Sequence, residues 1–372
     1  MLRKFFMAAI AIQFFFAASS QEASLAVISK NDLLPEEKIP EPDKTPTLII
    51  SGSADMYYRY DLAGTKANNL TSFTNSHNNF ALGMASIKLE HKTTKVDMVA
   101  DLGFGNRVAE FSYNDDGILS AIKQLYISYS PADWIKFTAG CWATHIGYEL
   151  LDPQLNRNYS MSYMFTNGPF SHTGIKADIT KGKHGFMVGI ANPTDYRFVP
   201  DGVINKKFLL AQYSLAATDA VHLYLNYAGG KSPDTSRSKQ FDIVVTSKFN
   251  DKFSIGYNGT IINVQQWNGI KNMGGKAAWG SALYLNVDPK EWWGFTLREE
   301  YFSDKNQLKT FSGATEGGSI FATTLSANFK VDNFIFIPEL RIDKANKEIF
   351  TGKNGNGVKS AANVLVAAVY SF

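Results

Sequence analysis

The sequence predicts an all-β fold, a single antiparallel up-and-down barrel of about sixteen strands that crosses a membrane. Three observations support this prediction: apolar and polar residues alternate with a period of two, short turns alternate with long loops, and the chain begins with an export signal. Of the 372 residues, 45% are hydrophobic and 19% are charged, which is enough apolar material for a folded chain. The net charge is only +3 and no basic stripe is present, so no nucleic-acid partner is expected.

Residues 1–20 have the three-part pattern of a signal peptide. Arg3 and Lys4 form the positive start, an uncharged and largely apolar stretch continues to Ala18, and small residues then precede a cleavage site before Gln21. An uncleaved membrane anchor is the alternative, but the stretch is short for a helical span of about 20 residues. Because Arg3 and Lys4 are the charged residues of this segment, its removal lowers the net charge from +3 to +1.

Residues 21–46 predict a flexible periplasmic linker between the signal peptide and the barrel. The segment is rich in proline and acidic side chains and poor in apolar ones, a composition that does not form a packed core. The barrel itself is expected from residue 47 to residue 372. Cys141 is the only cysteine of the chain, so no intramolecular disulfide can stabilise the fold.

The remainder of the chain is a series of β-prone segments of roughly ten residues. The clearest is 334–343, in which one face is apolar and the other is charged. The apolar face holds Phe334, Phe336, Leu340 and Ile342, and the charged face holds Glu339, Arg341 and Asp343. Segments 79–90 and 184–191 have the weakest pattern, and losing such a pair would give fourteen strands instead of sixteen.

Short and long connections alternate along the whole barrel segment. Turns of a few residues, built from Asp, Asn, Pro, Gly, Lys or Thr, separate long polar stretches such as 106–118, 143–169, 229–239 and 344–361. An outer-membrane barrel has this asymmetry, with tight periplasmic turns and longer external loops, whereas a soluble β-sandwich does not require it. An even number of strands places both termini on the periplasmic side.

Aromatic residues cluster near the predicted strand ends, as in the two interfacial belts of a membrane barrel. Trp134, Trp292 and Trp293 lie beside short turns. The residues near the opposite ends are Tyr57, Tyr58, Tyr60, Tyr148, Tyr301 and Phe302.

The last strand has apolar residues at alternate positions and ends in an aromatic residue. Tyr370 and Phe372 lie on its apolar face, and Phe372 is the final residue of the printed sequence. This ending resembles the signal that the barrel assembly machinery of the outer membrane reads, which predicts that machinery as a partner.

Four stretches carry a family resemblance: 101–107, 121–129, 143–149 and 158–169. Together they resemble the OmpL-like β-barrel porin family of Bacteroidota outer membranes. The resemblance covers most of the barrel segment and is strongest from 95 to 195. It implies a porin-like barrel in contact with outer-membrane lipid, and it brings no catalytic or binding residues.

A barrel of sixteen strands is wide enough to leave an aqueous channel, and charged inner-wall residues would then set its ion selectivity. The alternation predicts six pore-lining residues, which could equally form ion pairs that brace the barrel. They are Asp97, Asp101, Arg298, Glu300, Glu339 and Arg341.

The loop 143–169 is the predicted constriction loop. It is the third external loop, which in general porins folds inward, and its apolar content is high for a solvated loop. If it folds into the lumen, four of its residues would line the constriction: His145, Glu149, Asp152 and Arg157. A solvated surface loop is the alternative.

The sequence therefore predicts a porin-like channel in the bacterial outer membrane for passive diffusion of small hydrophilic solutes or ions. A non-conducting structural or adhesive barrel is the first alternative, and assembly as a homotrimer is left open. An outer-membrane hydrolase is a weaker alternative, because His145, His172, Ser171 and Glu149 have no spacing that specifies a catalytic arrangement. No enzymatic activity, cofactor or metal is predicted.

Overall fold

The computed structural model describes residues 46–201 and 205–372, which form a closed barrel of sixteen antiparallel strands. Each strand pairs with its neighbours in sequence, and the first and last strands pair with each other to close the sheet. The predicted signal peptide and nearly all of the predicted linker lie outside the described residues. The predicted fold class, with sixteen strands rather than fourteen, is confirmed.

The strands are numbered β1 to β16 in chain order. Their bounds are β1 Thr47–Asp61, β2 Asn79–Lys92, β3 Val96–Phe104, β4 Ile122–Ala132, β5 Ile135–Ala143, β6 Ser171–Lys181, β7 His184–Ala191, β8 Phe208–Thr218, β9 Val221–Lys231, β10 Arg237–Asn250, β11 Phe253–Gln265, β12 Lys276–Lys290, β13 Trp293–Asp304, β14 Gly318–Val331, β15 Phe334–Ala345 and β16 Ser360–Ser371.

The period-two pattern separates an outer, lipid-facing surface from an inner one. On β15, Phe334, Phe336, Leu340 and Ile342 are all exposed on the outer face. Glu339, Arg341 and Asp343 alternate with them and are buried inside the barrel. Because the barrel is closed and has no free edge, every strand can pair its backbone hydrogen-bonding groups with two neighbouring strands inside the lipid.

The external loops are numbered L1 to L8 and connect successive strand pairs at one end of the barrel. They are L1 62–78, L2 105–121, L3 144–170, L4 192–207, L5 232–236, L6 266–275, L7 305–317 and L8 346–359. L5 is shorter than its predicted range of 229–239, because β9 continues to Lys231 and β10 begins at Arg237.

Two short α-helices lie within the described parts of these loops, and the sequence pattern predicted neither. Helix α1 (Asn106–Phe111) is in L2 and helix α2 (Tyr163–Asn167) is in L3. A two-residue ladder pairs Phe350–Thr351 with Gly357–Val358 inside L8. No helix of the described residues has the length and apolar character of a membrane span.

The predicted aromatic belts are correct only in part. Trp134 and Trp292 are exposed at the periplasmic end, as predicted. Tyr57 and Phe302, however, are buried inside the barrel, and Tyr148 lies in L3 with its ring stacked on Tyr284. The prediction failed for these three because proximity to a strand end does not determine which face of the strand a side chain occupies.

Candidate functional site

L3 enters the barrel and occupies a large part of its lumen. Among its residues, Tyr159, Met161 and Tyr163 are completely inaccessible to solvent. The loop runs from β5 across the inner face of β9 to β13, and then returns along β14 and β15 to β6. The wall that receives it is therefore the side of the barrel opposite to β3–β6.

Arg298 on β13 is the central anchor of L3. Its guanidinium Nη1 donates to the Glu149 carboxylate at 2.5 Å and to the Ser160 carbonyl at 2.7 Å. Its Nη2 donates to the Thr324 hydroxyl at 3.1 Å, and the Ser162 amide donates to the other oxygen of Glu149 at 2.7 Å. Arg298 and Glu149 are both buried, so this ion pair joins two segments of the loop to the wall in a site of low dielectric.

Two neighbouring residues of β15 hold the returning half of L3. The Tyr159 amide donates to the Glu339 carboxylate at 2.9 Å. Arg341 Nη1 donates to the Met161 carbonyl at 2.7 Å, while its Nε donates to Asp343 at 2.9 Å. Wall and loop thus exchange charge-assisted hydrogen bonds in both directions, which fixes the position of the loop.

Glu300 and Arg157 add further contacts along the same wall. The Met164 amide donates to the Glu300 carboxylate at 3.0 Å. At the deepest point of the loop, Arg157 donates both terminal nitrogens to the Asp288 carboxylate, at 2.9 and 2.7 Å. Since Asp288 lies near the periplasmic end of β12, L3 reaches through most of the depth of the barrel.

Small residues on the wall give the loop its space. A Cβ atom at Gly256 on β11 would collide with the ring of Tyr148, and one at Gly280 on β12 would collide with Met164. The sequence analysis did not single out these glycines. Their position within strands, where Gly often marks a close approach of another chain segment, was the available signal.

The first part of L3 is hydrogen-bonded to the inner face of β9 and β10. His145 Nε2 donates to the Tyr227 carbonyl at 3.0 Å, and the Gly147 amide donates to the Asp242 carboxylate at 3.0 Å. Burial lowers the pKa of His145 to about 4, so the ring is neutral at pH 7.

A cavity of about 510 Å³ remains between L3 and the inner wall of β1 to β10. Both charge signs line it, and they alternate between neighbouring positions instead of forming separate patches. The acidic residues are Glu90, Asp97, Asp101, Glu149, Asp152 and Asp178, and the basic ones are Lys88, Lys92, Lys123, Lys136 and Lys176.

Lys123 on β4 connects this wall to L3. Its ammonium group lies 3.1 Å from the Asp101 carboxylate and 2.5 Å from that of Asp152 in the loop. Lys136 and Asp97 form a second, longer pair at 3.5 Å. The polar wall therefore presents ion pairs, and the opposite charges of each pair partly cancel each other's electric field in the cavity.

The six predicted pore-lining residues all lie on the inner face, but they divide into two groups. Asp97 and Asp101 line the cavity. Arg298, Glu300, Glu339 and Arg341 lie beneath L3 and are bonded to it or buried against it.

The predicted constriction residues also fall into two groups. His145, Glu149 and Asp152 line the cavity, whereas the Arg157 side chain is directed to Asp288 at the far wall. The sequence pattern could identify the loop, but it contained no information on which wall residue each side chain would meet.

Three buried residues that anchor L3 were missed by the sequence analysis. Arg107 in L2 is fully buried between the rings of Phe73 and Tyr159, at 5.0 and 4.7 Å from their centroids. The Tyr159 hydroxyl donates to the Asp55 carboxylate on β1. Asp55 follows the period-two pattern of β1 and could have been found that way, but nothing in the sequence marks Arg107 as buried.

An apolar cluster covers the external side of L3. It brings together residues of L1, L2 and L3 around Phe73, Phe111, Phe165 and Phe170, whose rings lie 5.3 to 5.9 Å apart in four pairs. The cluster therefore packs L1, L2 and L3 against one another at the external end of the barrel.

L4 is tied to this cluster through Asp195. Its carboxylate accepts the amides of Phe170 and Ser171 at 2.7 and 2.8 Å and the hydroxyl of Tyr113 at 3.0 Å. Burial raises the pKa of Asp195 to about 6.

The residues considered for hydrolysis have other partners. The His172 ring shares a hydrogen bond with the Thr144 hydroxyl at 3.1 Å, and Glu149 is paired with Arg298. The His145 and His172 rings lie 5.3 Å apart, and within the described parts of the chain no cluster of three or more metal-ligating side chains was found. The candidate acid, Glu149, is therefore bound to an arginine and not to either histidine.

A closed barrel with a lipid-facing belt, an inward-folded third loop and a charged lumen defines the class of outer-membrane porin-like channels. The sequence matches the model of the family described as "Putative beta-barrel porin-2, OmpL-like" over residues 47–372, and the chain belongs to this family. It is accordingly an outer-membrane protein. The match confirms the predicted family, but it does not test the predicted Bacteroidota origin.

Solved porin structures share the fold. An anion-selective porin from Comamonas acidovorans is 12% identical, with a TM-score of 0.60 over 88% of this chain and 100% of that one. The outer membrane channel DcaP of Acinetobacter baumannii is 11% identical, with a TM-score of 0.57 over 88% and 97%. OmpT of Vibrio cholerae, in a structure described as a trimer form, is 11% identical with a TM-score of 0.55 over 88% and 99%. No curated protein matches the sequence.

Proposed function

We propose that the protein lets small hydrophilic solutes or ions diffuse passively across the outer membrane, with L3 as the constriction. The observation that supports this best is the cavity of about 510 Å³ beside L3, whose wall carries charged side chains of both signs. Transport would need no cofactor and no covalent step. Loop and wall would act as a steric and electrostatic filter.

Selectivity would depend on the pairs that cross the cavity. Lys123 and its two carboxylates, Asp101 and Asp152, stand where L3 approaches β4 most closely. Replacing Lys123 by Gln leaves both carboxylates without their cation, and this should shift the channel towards cations.

The test is conductance of the purified protein in a planar bilayer under a salt gradient. We expect discrete current steps, and a reversal potential that moves towards cation preference in Lys123→Gln. The control is Val188→Ala, which changes an exposed residue on the outer face and should leave both quantities unchanged. If the folded protein conducts no current, with or without the 150–157 segment of L3, the channel proposal is wrong.

A non-conducting structural or adhesive barrel is the second candidate, and one observation favours it. The aromatic cluster around Phe73, Phe111, Phe165 and Phe170 covers the external side of the lumen. If this cluster stays closed, the intact folded protein would carry no current.

We also propose that residues 1–20 are removed as a signal peptide, that 21–46 is a periplasmic linker, and that Tyr370 and Phe372 form the signal for the barrel assembly machinery. Assembly as a homotrimer is proposed as well, because OmpT of Vibrio cholerae is described in a trimer form. Mass measurement of the protein extracted from membranes tests both the cleavage and the assembly.

A further inference from the structure

One carboxylate side chain, that of Glu299, lies on the lipid-facing surface of the barrel. Glu299 on β13 is partly exposed, while its neighbours Arg298 and Glu300 are buried in the lumen, so it lies on the lipid-facing side. Phe295 precedes it and Tyr301 follows it on the same face. At about 3.3 Å per residue, Glu299 lies roughly 7 Å from Tyr301 along the strand and within the apolar band.

Lipid cannot satisfy this group. The Thr323 hydroxyl, opposite to it on β14, donates to Glu299 Oε2 at 2.8 Å. Across residues 46–201 and 205–372, no basic side chain forms an ion pair with Glu299. A carboxylate on a lipid face weakens the barrel unless another molecule supplies donors, and such residues in membranes usually mark a site of interaction.

Two more hydroxyls lie on the same outer face. Ser281 on β12 donates to the Tyr257 hydroxyl on β11 at 3.2 Å, and Ser281 is paired across the sheet with Gly259 and Tyr301. The Tyr257 ring covers Gly259, where a Cβ atom would come within 2.9 Å of the Tyr257 hydroxyl oxygen. We call Tyr257, Ser281, Glu299 and Thr323 the outer polar patch.

The opposite wall shows what an ordinary lipid-facing surface looks like in this barrel. Most of its exposed outward positions on β3 to β7 are apolar, and none of them is a carboxylate. They include Met98, Ile127, Phe137, Ile175 and Val188.

We propose that the outer polar patch is the surface through which one barrel contacts a second copy of the same chain. The patch contains both halves of the required contact, because Glu299 can only accept in its ionised form while the Tyr257 hydroxyl, which accepts from Ser281, can donate. Placed against its own copy, the patch satisfies the carboxylate with the Tyr257 donor on β11 of the neighbour. This inference rests on the self-association proposed above but assigns it an isologous contact, which joins two copies and not three, and it is independent of the channel function.

Cross-linking in intact outer membranes tests the location of the contact. Ser281→Cys places a thiol in the patch, Ile127→Cys places one on the opposite wall, and the wild type with its buried Cys141 is the background control. We expect covalent dimers from Ser281→Cys with a short thiol-reactive cross-linker. Equal or stronger cross-linking from Ile127→Cys, or none from Ser281→Cys, would overturn the proposal.

Substitution of Glu299 tests the chemistry. Glu299→Leu should weaken association about 10-fold or more, because it removes the hydrogen bonds that a charged acceptor makes, whereas Glu299→Gln should retain most of it. Native mass spectrometry of folded protein gives the oligomer fraction, and the current carried by each barrel serves as the folding control. If Glu299→Leu keeps the wild-type oligomer fraction, or if the wild type is monomeric, the patch is not a self-contact. Loss of current with intact cross-linking would refute only the channel function.

Discussion

The position of L3 should depend strongly on Arg298, the residue that joins both of its halves to β13. Replacing Arg298 by Met removes the donors to Glu149 and to the Ser160 carbonyl while keeping much of the side-chain volume. Glu149 then keeps the Ser162 amide as a donor but has lost its cation. Because both partners of the pair are buried, the isolated carboxylate bears its full desolvation cost.

The size of the effect follows from the behaviour of buried ion pairs. Removing one partner of such a pair costs about 3–5 kcal/mol, whereas replacing both by apolar residues is often nearly neutral. Arg298→Met should therefore lower the free energy of unfolding by about 3–5 kcal/mol. The double variant Glu149→Leu/Arg298→Met should recover most of that loss. The remaining anchors at Glu339 and Asp288 should still hold L3 inside the barrel.

Two measurements check this prediction. Denaturant unfolding of the detergent-solubilised protein gives the stability difference, and single-channel recording should show a larger and noisier current in Arg298→Met, because the middle of L3 is released. Arg237→Met, at an exposed position near the external end of β10, is the matched control and should change stability by less than about 0.5 kcal/mol. The reasoning is refuted if Arg298→Met is as stable and as quiet as the wild type, or if the double variant is no better than the single one.

Three further predictions concern the loops. The pKa of Asp195 is raised to about 6 from 3.8, so its contribution to stability is present at pH 4 and is lost as the pH rises through 6; amide protection of L4, corrected for intrinsic exchange rates, should be higher at pH 5 than at pH 7 in the wild type but not in Asp195→Asn, and equal wild-type protection at the two pH values would contradict this. The pKa of His145 is lowered to about 4 from 6.5, so the stability that the neutral ring contributes to the folded protein is lost as the pH falls from 6.5 to 4. Channel noise should therefore rise between pH 7 and pH 5 in the wild type but not in His145→Gln. Gly256→Val should displace Tyr148 and increase the current, while Gly313→Val, where a Cβ meets nothing within 4 Å, should not; identical currents would show that Tyr148 does not hold the loop.

The strands and their order could be predicted from sequence because the lipid imposes a simple rule on them. Each strand that faces lipid, such as β15, must place an apolar residue outward at every second position. Within the membrane, the backbone hydrogen bonds of these strands are satisfied only if the sheet closes on itself. The alternation of short turns with long loops then gives the orientation. The limits of the strands were less accurate, since β9 and β10 extend further into L5 than the polar composition of 229–239 suggests.

The lumen was less predictable because period two identifies a face but not what covers it. Glu339 and Asp97 follow the same pattern, yet one is buried under L3 and the other lines the cavity. The inner face is also apolar in places: Leu365 and Val369 on β16 are buried inside the barrel. Tyr159 of L3 packs against this surface, a contact between segments that are distant in sequence and that no local pattern encodes.

The seam between β1 and β16 has a consequence for biosynthesis. Gly52 and Phe372 exchange two backbone hydrogen bonds, at 3.0 and 2.9 Å, and nine residue pairs join the two strands. Since β16 follows the other fifteen strands in the chain, the cylinder cannot be sealed before residues 360–371 have been exported. A chain cut short before Ser360 would expose the edges of β1 and β15 to the periplasm, where unpaired strand edges recruit other chains into aggregates.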